Sequence, residues 1–571
     1  MALVSEVVRE RLLAWGVGRV YGSPGQGADP LIEAFRRGGG RPDFVQPRHG
    51  EAAAFMACAH AKFTGLPGCC LAPSGPGAVQ LLGGLYDARL DHQPVLALVG
   101  SEPSAGSAAH RRPAVHMERI FADVAEYCEP VTRPERAAGV IDRALRAAVS
   151  RRGVAVVLLP ADLLDEEAPR PGESVEAGTS RPRPLPEAAE LHRAARLLNE
   201  ADKVALVVGQ GASAAGWQIV RAAELLGAGI AKTVLGRDVV ADDLPFVAGC
   251  VGRYGTPAAE RMLRECDTVV LVGTTFPPGE WLRDPAGTRC VAVNDDATAL
   301  VPSGPGDVRL LGDARATLEE LLPHLRPKEG RRWRAAVETW VREWDARRRA
   351  EARQHFGHLI NPATVVEELS DRLPDGALLT ADAGASTAWW ARNLRLRHGM
   401  RASLSGTFAA MGSGVPYAVA ARLAHPDRPV IAFVGAGAFQ MNGLAEMVTV
   451  KDRLEQPAGG PPLVFCVFNN RDRAQATWDR RAATGNPRLL GTSSVPDVPY
   501  AEYARLLGLH GIRCERPGKI AESWDAALAA DGPVVLEFLV DAETEPPTIR
   551  APGHAAERAG RLRALLGGRR R

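Results

Sequence analysis

Lysine is scarce in this chain of 571 residues, standing only at positions 62, 203, 232, 328, 451 and 519. None of these lies in a context suited to a Schiff-base nucleophile, so covalent amine catalysis is not expected. Arginine carries almost all the positive charge, yet the formal net charge is only +2, which gives no reason to expect an acidic or nucleic-acid partner. No stretch interleaves aromatic and basic residues in the manner of a single-strand binder. The nine cysteines (58, 69, 70, 128, 250, 266, 290, 466 and 514) include no Cys-x-x-Cys pair. That argues against a zinc site or a disulfide framework and favours small buried core residues in a reducing compartment. Also missing is any apolar run of about eighteen residues, so no transmembrane segment is expected. The N-terminus has acidic residues in its first turns and no long apolar core, unlike a signal peptide. The expectation is a cytoplasmic protein.

What the chain does have is a globular composition, 46% apolar and 24% charged, and length for about three to four domains. Helical and strand patterns alternate through residues 1–165 (helical 7–15, strand 19–21, helical 30–37 and 51–63, strand 68–72, helical 78–88, strand 95–99). Such alternation signals a parallel α/β sheet. Residues 166–188 are charged and proline-rich without periodicity, a linker. A second α/β unit, 189–326, opens on the apolar run 204–208 and Gly209-Gln210-Gly211. Residues 327–356 form a charged connecting helix, with Trp333, Trp340 and Trp344 on one face and arginines on the other. A third α/β domain follows over 357–546, with strands at 377–380, 429–434 and 463–468. Residues 547–571 make a basic tail, read as a frayed terminus, with a lid or a membrane-surface contact as alternatives.

Three places could carry chemistry. Strand 429–434 ends in Gly435-Ala436-Gly437, a helical pattern runs from Asn442 to Lys451, and the next strand ends in Asn469-Asn470. A strand, a glycine turn and a helix N-terminus bring free N–H groups and a positive dipole end to one point, suited to a diphosphate. Turns at Gly22-Ser23-Pro24-Gly25 and Ser74-Gly75-Pro76-Gly77 follow strands of the first domain, where ligands of open α/β sheets bind. Glu51 begins a helix otherwise made of alanine, phenylalanine, methionine and cysteine, which reads either as a helix-capping acid or as a carboxyl group against an apolar wall.

Together these motifs resemble the thiamine-diphosphate (ThDP) enzymes. Arg48-His49-Gly50-Glu51, then Ser74-Gly75-Pro76-Gly77-Ala78, then Asp91-His92-Gln93-Pro94 are similar in order and spacing to that family's pyrimidine-binding domain. Gly435-x-Gly437 with Asn469-Asn470 is similar to its Gly-Asp-Gly and Asn-Asn cofactor motif, with Ala436 in place of the aspartate. The look is nearest to the acetolactate synthase, pyruvate oxidase and quinone-linked pyruvate dehydrogenase branch, and it covers the chain to about residue 545.

The resemblance implies three doubly wound parallel-sheet domains: pyrimidine-binding, central and diphosphate-binding. It implies Glu51 as the catalytic carboxyl group acting on the pyrimidine. Gly25, Ser74, Gly75, Met411, Gly435, Ala436, Gly437, Ala438 and Asn470 would hold the cofactor, with Met411 wedged beneath it. Mg²⁺ would take the Asn470 side chain and the Asp472 backbone carbonyl, at a site weakened by Ala436. The substrate would be a 2-oxo acid such as pyruvate, decarboxylated so that its acyl carbanion passes to an acceptor. A homodimer or homotetramer is implied too, because the family's active site lies between two chains. FAD stays open: the family's middle domain carries it in some members, and Gly209, Gly211 and Asp296 suit either a dinucleotide or a structural turn. A usual Gln-Glu pair is replaced by Pro113-Ala114, leaving His110, Arg111, Pro113 and His116 as substrate-side positions. With Ala436, that departure also supports an alternative, a catalytically impaired protein with a structural or regulatory role.

Overall fold

A computed structural model describes residues 2–101, 115–170, 183–300, 304, 306–354, 358–454, 460–485 and 491–545. It contains three six-stranded sheets, each parallel throughout. The interior strands are almost entirely buried, as in Gly68–Ala72, Val154–Pro160 and Leu463–Asn469, while edge strands such as Ala125–Pro130 and His510–Cys514 are only half-buried. That burial is why the interior strands read as continuous apolar runs rather than alternating ones.

Across the first sheet the strands lie in the order Asp43–Val45, Arg19–Gly22, Gly68–Ala72, Val95–Ser101, Val154–Pro160 and Ala125–Pro130. Across the third they are Arg401–Leu404, Leu378–Ala381, Val430–Gly435, Leu463–Asn469, Val534–Leu539 and His510–Cys514. Numbered by appearance within each domain, both orders are 2-1-3-4-6-5, so the first and third domains share one topology. The central sheet, Val247–Cys250, Gly229–Lys232, Val204–Val208, Thr268–Val272, Arg289–Asn294 and Val308–Leu311, has the order 3-2-1-4-5-6. In all three sheets the order reverses beside the first strand, and that crevice is where such sheets bind ligands.

The first and third domains pack against each other through helices Gly50–Thr64 and Gly414–Ala424, buried almost all round, and share one hydrophobic core. A helix apolar on every face is stable only when surrounded. Helix Arg332–Ala352 buries Trp333, Trp340 and Trp344, and the Trp333 indole donates 2.8 Å to the Val204 carbonyl.

Two local features differ from the sequence reading. The helix after Gly435 starts at Ala436 rather than Asn442: a short turn Ala436–Ala438 passes through a π-helical turn, Phe439–Gly443, into Leu444–Arg453. Within the stretch read as linker, Glu167–Ala168 pairs antiparallel with Ala2–Leu3, because an extended pair of residues can close a ladder without any periodicity to announce it. Among the described residues no helix is long and apolar enough to cross a membrane.

Candidate functional site

At the switch point of the third sheet lies a cavity of about 390 Å³. Met411, Gly435, Ala436, Gly437, Ala438, Asn470 and Asp472 all line it. Seven of the positions singled out by sequence therefore meet in one place. The cavity has the cradle that a ligand needs. A Cβ added at Gly384 or Gly435 would meet nothing within 4 Å, so both leave open space in the floor. Gly384 also has φ +121°, which a side chain would resist. Gly437 is packed more closely: a Cβ there would stand 3.7 Å from Met411 Cε and 3.5 Å from Val495.

The loop that carries Met411 is held from below by Asp382, which is fully buried. Its Oδ1 accepts from the Gly412 N–H (2.9 Å) and its Oδ2 from the Gly414 N–H (2.8 Å). Burial nonetheless pushes its carboxyl group from 3.8 up to about 7, because the backbone donors only partly replace lost hydration. Asn470 Oδ1 accepts from the Asp472 N–H at 3.0 Å, closing its own turn.

The remaining sequence-derived positions gather at the C-terminal edge of the first sheet. The Gly25 N–H is capped by Asp29 at 2.7 Å, and the Ser74 N–H reaches the Gln26 carbonyl at 3.4 Å, which sets the two turns side by side. Gly75 has φ +73°. Glu51 stands in the first turn of its helix, and a Cβ on Gly83 would come within 2.3 Å of Glu51 Oε1. Within one chain Gly25, Glu51, Ser74 and Gly75 do not line the third-domain cavity.

Glu51 is nonetheless joined to the Met411 loop. Its Oε2 accepts from Asn442 Nδ2 at 3.0 Å, and the same amide lies 3.2 Å from the Gly412 carbonyl oxygen. Glu446 Oε1 accepts from the Arg48 N–H at 2.8 Å, a second tie between the start of Glu51's helix and the third domain. Deeper in the same interface, Lys62 Nζ donates to Asp91 Oδ2 (2.7 Å) and to the Leu404 carbonyl (2.6 Å). Asp91 in turn accepts from the Gly406 and Thr407 N–H groups. Burial favours neutral lysine, but the neighbouring Asp91 charge overrides it and raises the Lys62 ammonium above its ordinary value. Asp87, accepting from the Tyr417 hydroxyl at 2.5 Å, is pushed by burial to about 6.

Asp382, Asn442, Lys62 and Glu446 are not recognisable as site residues in the sequence, where each is a single polar residue inside an otherwise apolar segment. Asn442 reads there only as the start of a helical pattern. His116 is exposed ahead of helix Met117–Phe121, while His110, Arg111 and Pro113 lie outside the described residues.

The residues present bear differently on Mg²⁺, which the resemblance implies, and on FAD, which it leaves open. Position 436 offers a methyl group, and among the described residues no group of three or more His, Cys, Asp or Glu is placed to hold a metal ion. A Mg²⁺ anchored by a carboxylate at position 436 therefore does not fit here, and the neutral oxygens of Asn470 and of the Asp472 backbone would be what remains for it on the protein side. In the central domain a cavity of about 780 Å³ is lined by Gly209, Gly211 and Asp296. A Cβ at Gly209 would fall 2.4 Å from the Gly273 carbonyl oxygen, and one at Gly211 would fall 2.9 Å from Gly273 Cα. Backbone packing accounts for both glycines. Asp296 Oδ1 is already engaged by the Thr298 N–H and hydroxyl, so the signal for a flavin has a structural explanation.

Comparison with known proteins agrees with the geometry domain by domain. Residues 3–120 match the N-terminal TPP binding domain of the thiamine pyrophosphate enzymes, 191–321 their central domain and 382–538 their C-terminal TPP binding domain. The chain is 32% identical over 543 residues to YdaP of Bacillus subtilis (strain 168), whose name describes it provisionally as thiamine pyrophosphate-containing; the match covers 95% of this chain and 92% of YdaP. It is 28% identical over 550 residues to the pyruvate oxidase of Lactiplantibacillus plantarum, covering 95% of this chain and 90% of the oxidase. It is 29% identical over 542 residues to the acetolactate synthase isozyme 2 large subunit of Escherichia coli K12, covering 93% and 94%. With three successive domains matched and a relative above 30% identity aligned along nearly its whole length, the chain belongs to the thiamine pyrophosphate enzyme family.

Proposed function

We propose that the chain binds ThDP at the third-domain cavity and acts on a 2-oxo acid such as pyruvate, decarboxylating it and handing the acyl unit to an acceptor. The observation that carries this reading is the cavity itself, where open space over Gly384 and Gly435 lies beside Met411 at a sheet switch point. When bound, ThDP supplies the nucleophilic carbon and the electron sink that decarboxylation needs. The N–H groups of the turn at Ala436–Ala438 and its glycines receive the diphosphate. Met411, braced through Asp382 beneath Gly412 and Gly414, orients the bound molecule so that its reacting groups are held together. Glu51 would hold or release a proton at its carboxyl group once ThDP is bound.

Because Glu51 does not line the cavity of its own chain, the complete site takes this residue from a second copy, and the working unit is a homodimer or homotetramer. No flavin enters this scheme, and the acceptor is left unspecified.

A second reading, a protein that binds ThDP with little or no turnover, is favoured by the methyl group at 436 and by Asn470 turned onto its own loop. Binding of ThDP followed by calorimetry, together with CO₂ release from a panel of 2-oxo acids, separates the two. Binding with CO₂ release supports the first reading, binding without release the second, and an absence of binding overturns both.

A further inference from the structure

The cavity that would take the diphosphate has lost its metal-anchoring carboxylate, yet it has a cation of its own. Three carboxylates line it, and each is engaged elsewhere. Asp472 Oδ1 accepts from the Thr477 hydroxyl at 2.7 Å, Asp541 Oδ2 accepts from the Thr544 hydroxyl at 2.7 Å, and Asp479 is paired with Arg253. Arg473 lines the same cavity, is exposed, and forms no ion pair among the described residues. Its main chain is nonetheless fixed: its N–H donates to the Ser493 carbonyl (2.8 Å), and its own carbonyl accepts from the Thr477 N–H (3.0 Å). Its neighbour Arg471 differs, since its guanidinium pairs with Asp497 at 2.8 Å.

An arginine that borders a cavity and pairs with no carboxylate among the described residues is suited to an anionic ligand. Its planar fork of donors matches phosphate oxygens two at a time and keeps its charge at any working pH. The methyl of Ala436, which lines the same cavity, adds no negative charge to it.

We propose that this chain binds the diphosphate of ThDP without a divalent metal, with the Arg473 guanidinium supplying the positive charge. The inference rests on the ThDP reading of the same cavity and deepens it. The methyl at 436 and an arginine without an ion pair among the described residues then form one arrangement: a direct guanidinium–phosphate contact would stand where a metal would otherwise bridge protein carboxylate and phosphate.

The test is calorimetric titration of the full chain with ThDP, after dialysis against EDTA, in EDTA and again in excess Mg²⁺. The dissociation constants are expected to agree within about twofold in the two buffers. Arg473→Ala is expected to weaken binding roughly tenfold in EDTA, as loss of a charge-assisted contact does, with Arg473→Lys between the two. Ala436→Asp should convert the site, so that Mg²⁺ tightens binding and chelator reverses the effect. Circular dichroism of each variant checks that the fold is intact, and Arg473→Gln serves as a second neutral variant. If the parent loses binding in EDTA and regains it with Mg²⁺, the metal-free inference is overturned while the ThDP reading stands. If Arg473→Ala and Arg473→Gln both bind like the parent, Arg473 has no such role. Failure of the parent to bind ThDP in either buffer overturns the ThDP reading and the inference with it.

Discussion

At the scale of single residues, two carboxyl groups tied to the Met411 loop differ in how they are held. Glu51 has one oxygen on Asn442 and sits in the first turn of its helix, and the proposed function assigns it the proton transfer. Glu51→Gln is expected to leave ThDP affinity unchanged and to lower turnover by roughly 10²- to 10⁴-fold, the ordinary range for a general acid or base. Equal CO₂ release by parent and variant would remove Glu51 from the mechanism. Asp382 is the opposite case. Two N–H groups end on its carboxylate, and asparagine can accept only one of them, so Asp382→Asn is expected to cost about 1–3 kcal/mol. Its pH dependence has a definite sign. With its pKa raised from 3.8 to about 7, the folded protein binds more protons at this site than the unfolded chain does. The Asp382 contribution is therefore complete below about 4 and declines as pH rises through 7. Thermal melts across that interval should show the parent losing stability relative to the non-titrating Asp382→Asn as pH rises through 7; parallel curves would show that Asp382 does not titrate there.

At the scale of elements, the helix Gly50–Thr64 shows how glycine placement permits close packing. A Cβ on Gly84 would stand 2.5 Å from the Phe55 nitrogen and 2.6 Å from Ala54 Cβ, so the neighbouring helix Leu82–Leu90 can approach only at a residue without a side chain. Gly65, which ends the helix at φ +75°, has nothing within 4 Å of its Cβ position. Overpacking and backbone strain can thus be told apart. Gly84→Ala is expected to destabilise by about 1–3 kcal/mol through the clash, and Gly65→Ala by roughly 1 kcal/mol through its left-handed conformation alone. Denaturant midpoints measure both, and equal losses would contradict this account. The π turn Phe439–Gly443 is the other telling element. One extra residue in a helical turn rotates the facing of every later residue in the helix, and Asn442 lies inside it, aimed at Glu51 and Gly412. Gly443 makes room for it, since a Cβ there would meet the Phe439 ring at 2.7 Å.

At the scale of the whole molecule, two domains of one topology share a core, and each carries part of the residue set proposed for the site. If the Glu51 of one copy completes the cavity of another, two separately inactive variants should rescue each other. Chains carrying Glu51→Gln and chains carrying Met411→Ala, mixed and reassembled, would form hybrids with one intact site and one doubly altered site. About a quarter of parental activity is expected from random dimer pairing. No recovery, in a mixture shown by mass spectrometry to contain hybrids, would place each site within a single chain.

The sequence by itself determined what depends on neighbours along the chain. Runs such as Val204–Val208, Thr268–Val272 and Gly68–Ala72 are strands at the residues where the apolar pattern places them, because a strand buried on both faces needs only an unbroken apolar run. The glycine turn at 435–437, Met411 and the two asparagines are legible as a set through their order and spacing. What the tertiary structure decided are the contacts across distance: Asn442 with Glu51, 391 positions apart, Lys62 with the Leu404 carbonyl, 342 apart, and Tyr417 with Asp87, 330 apart. A lone polar residue in an apolar helix has the same local pattern whether it meets a partner or not, and only packing brings the partner to it. The π turn has the same origin, since one extra helical residue leaves no mark on composition and is retained because Asn442, inside it, finds Glu51 and the Gly412 carbonyl on the other side.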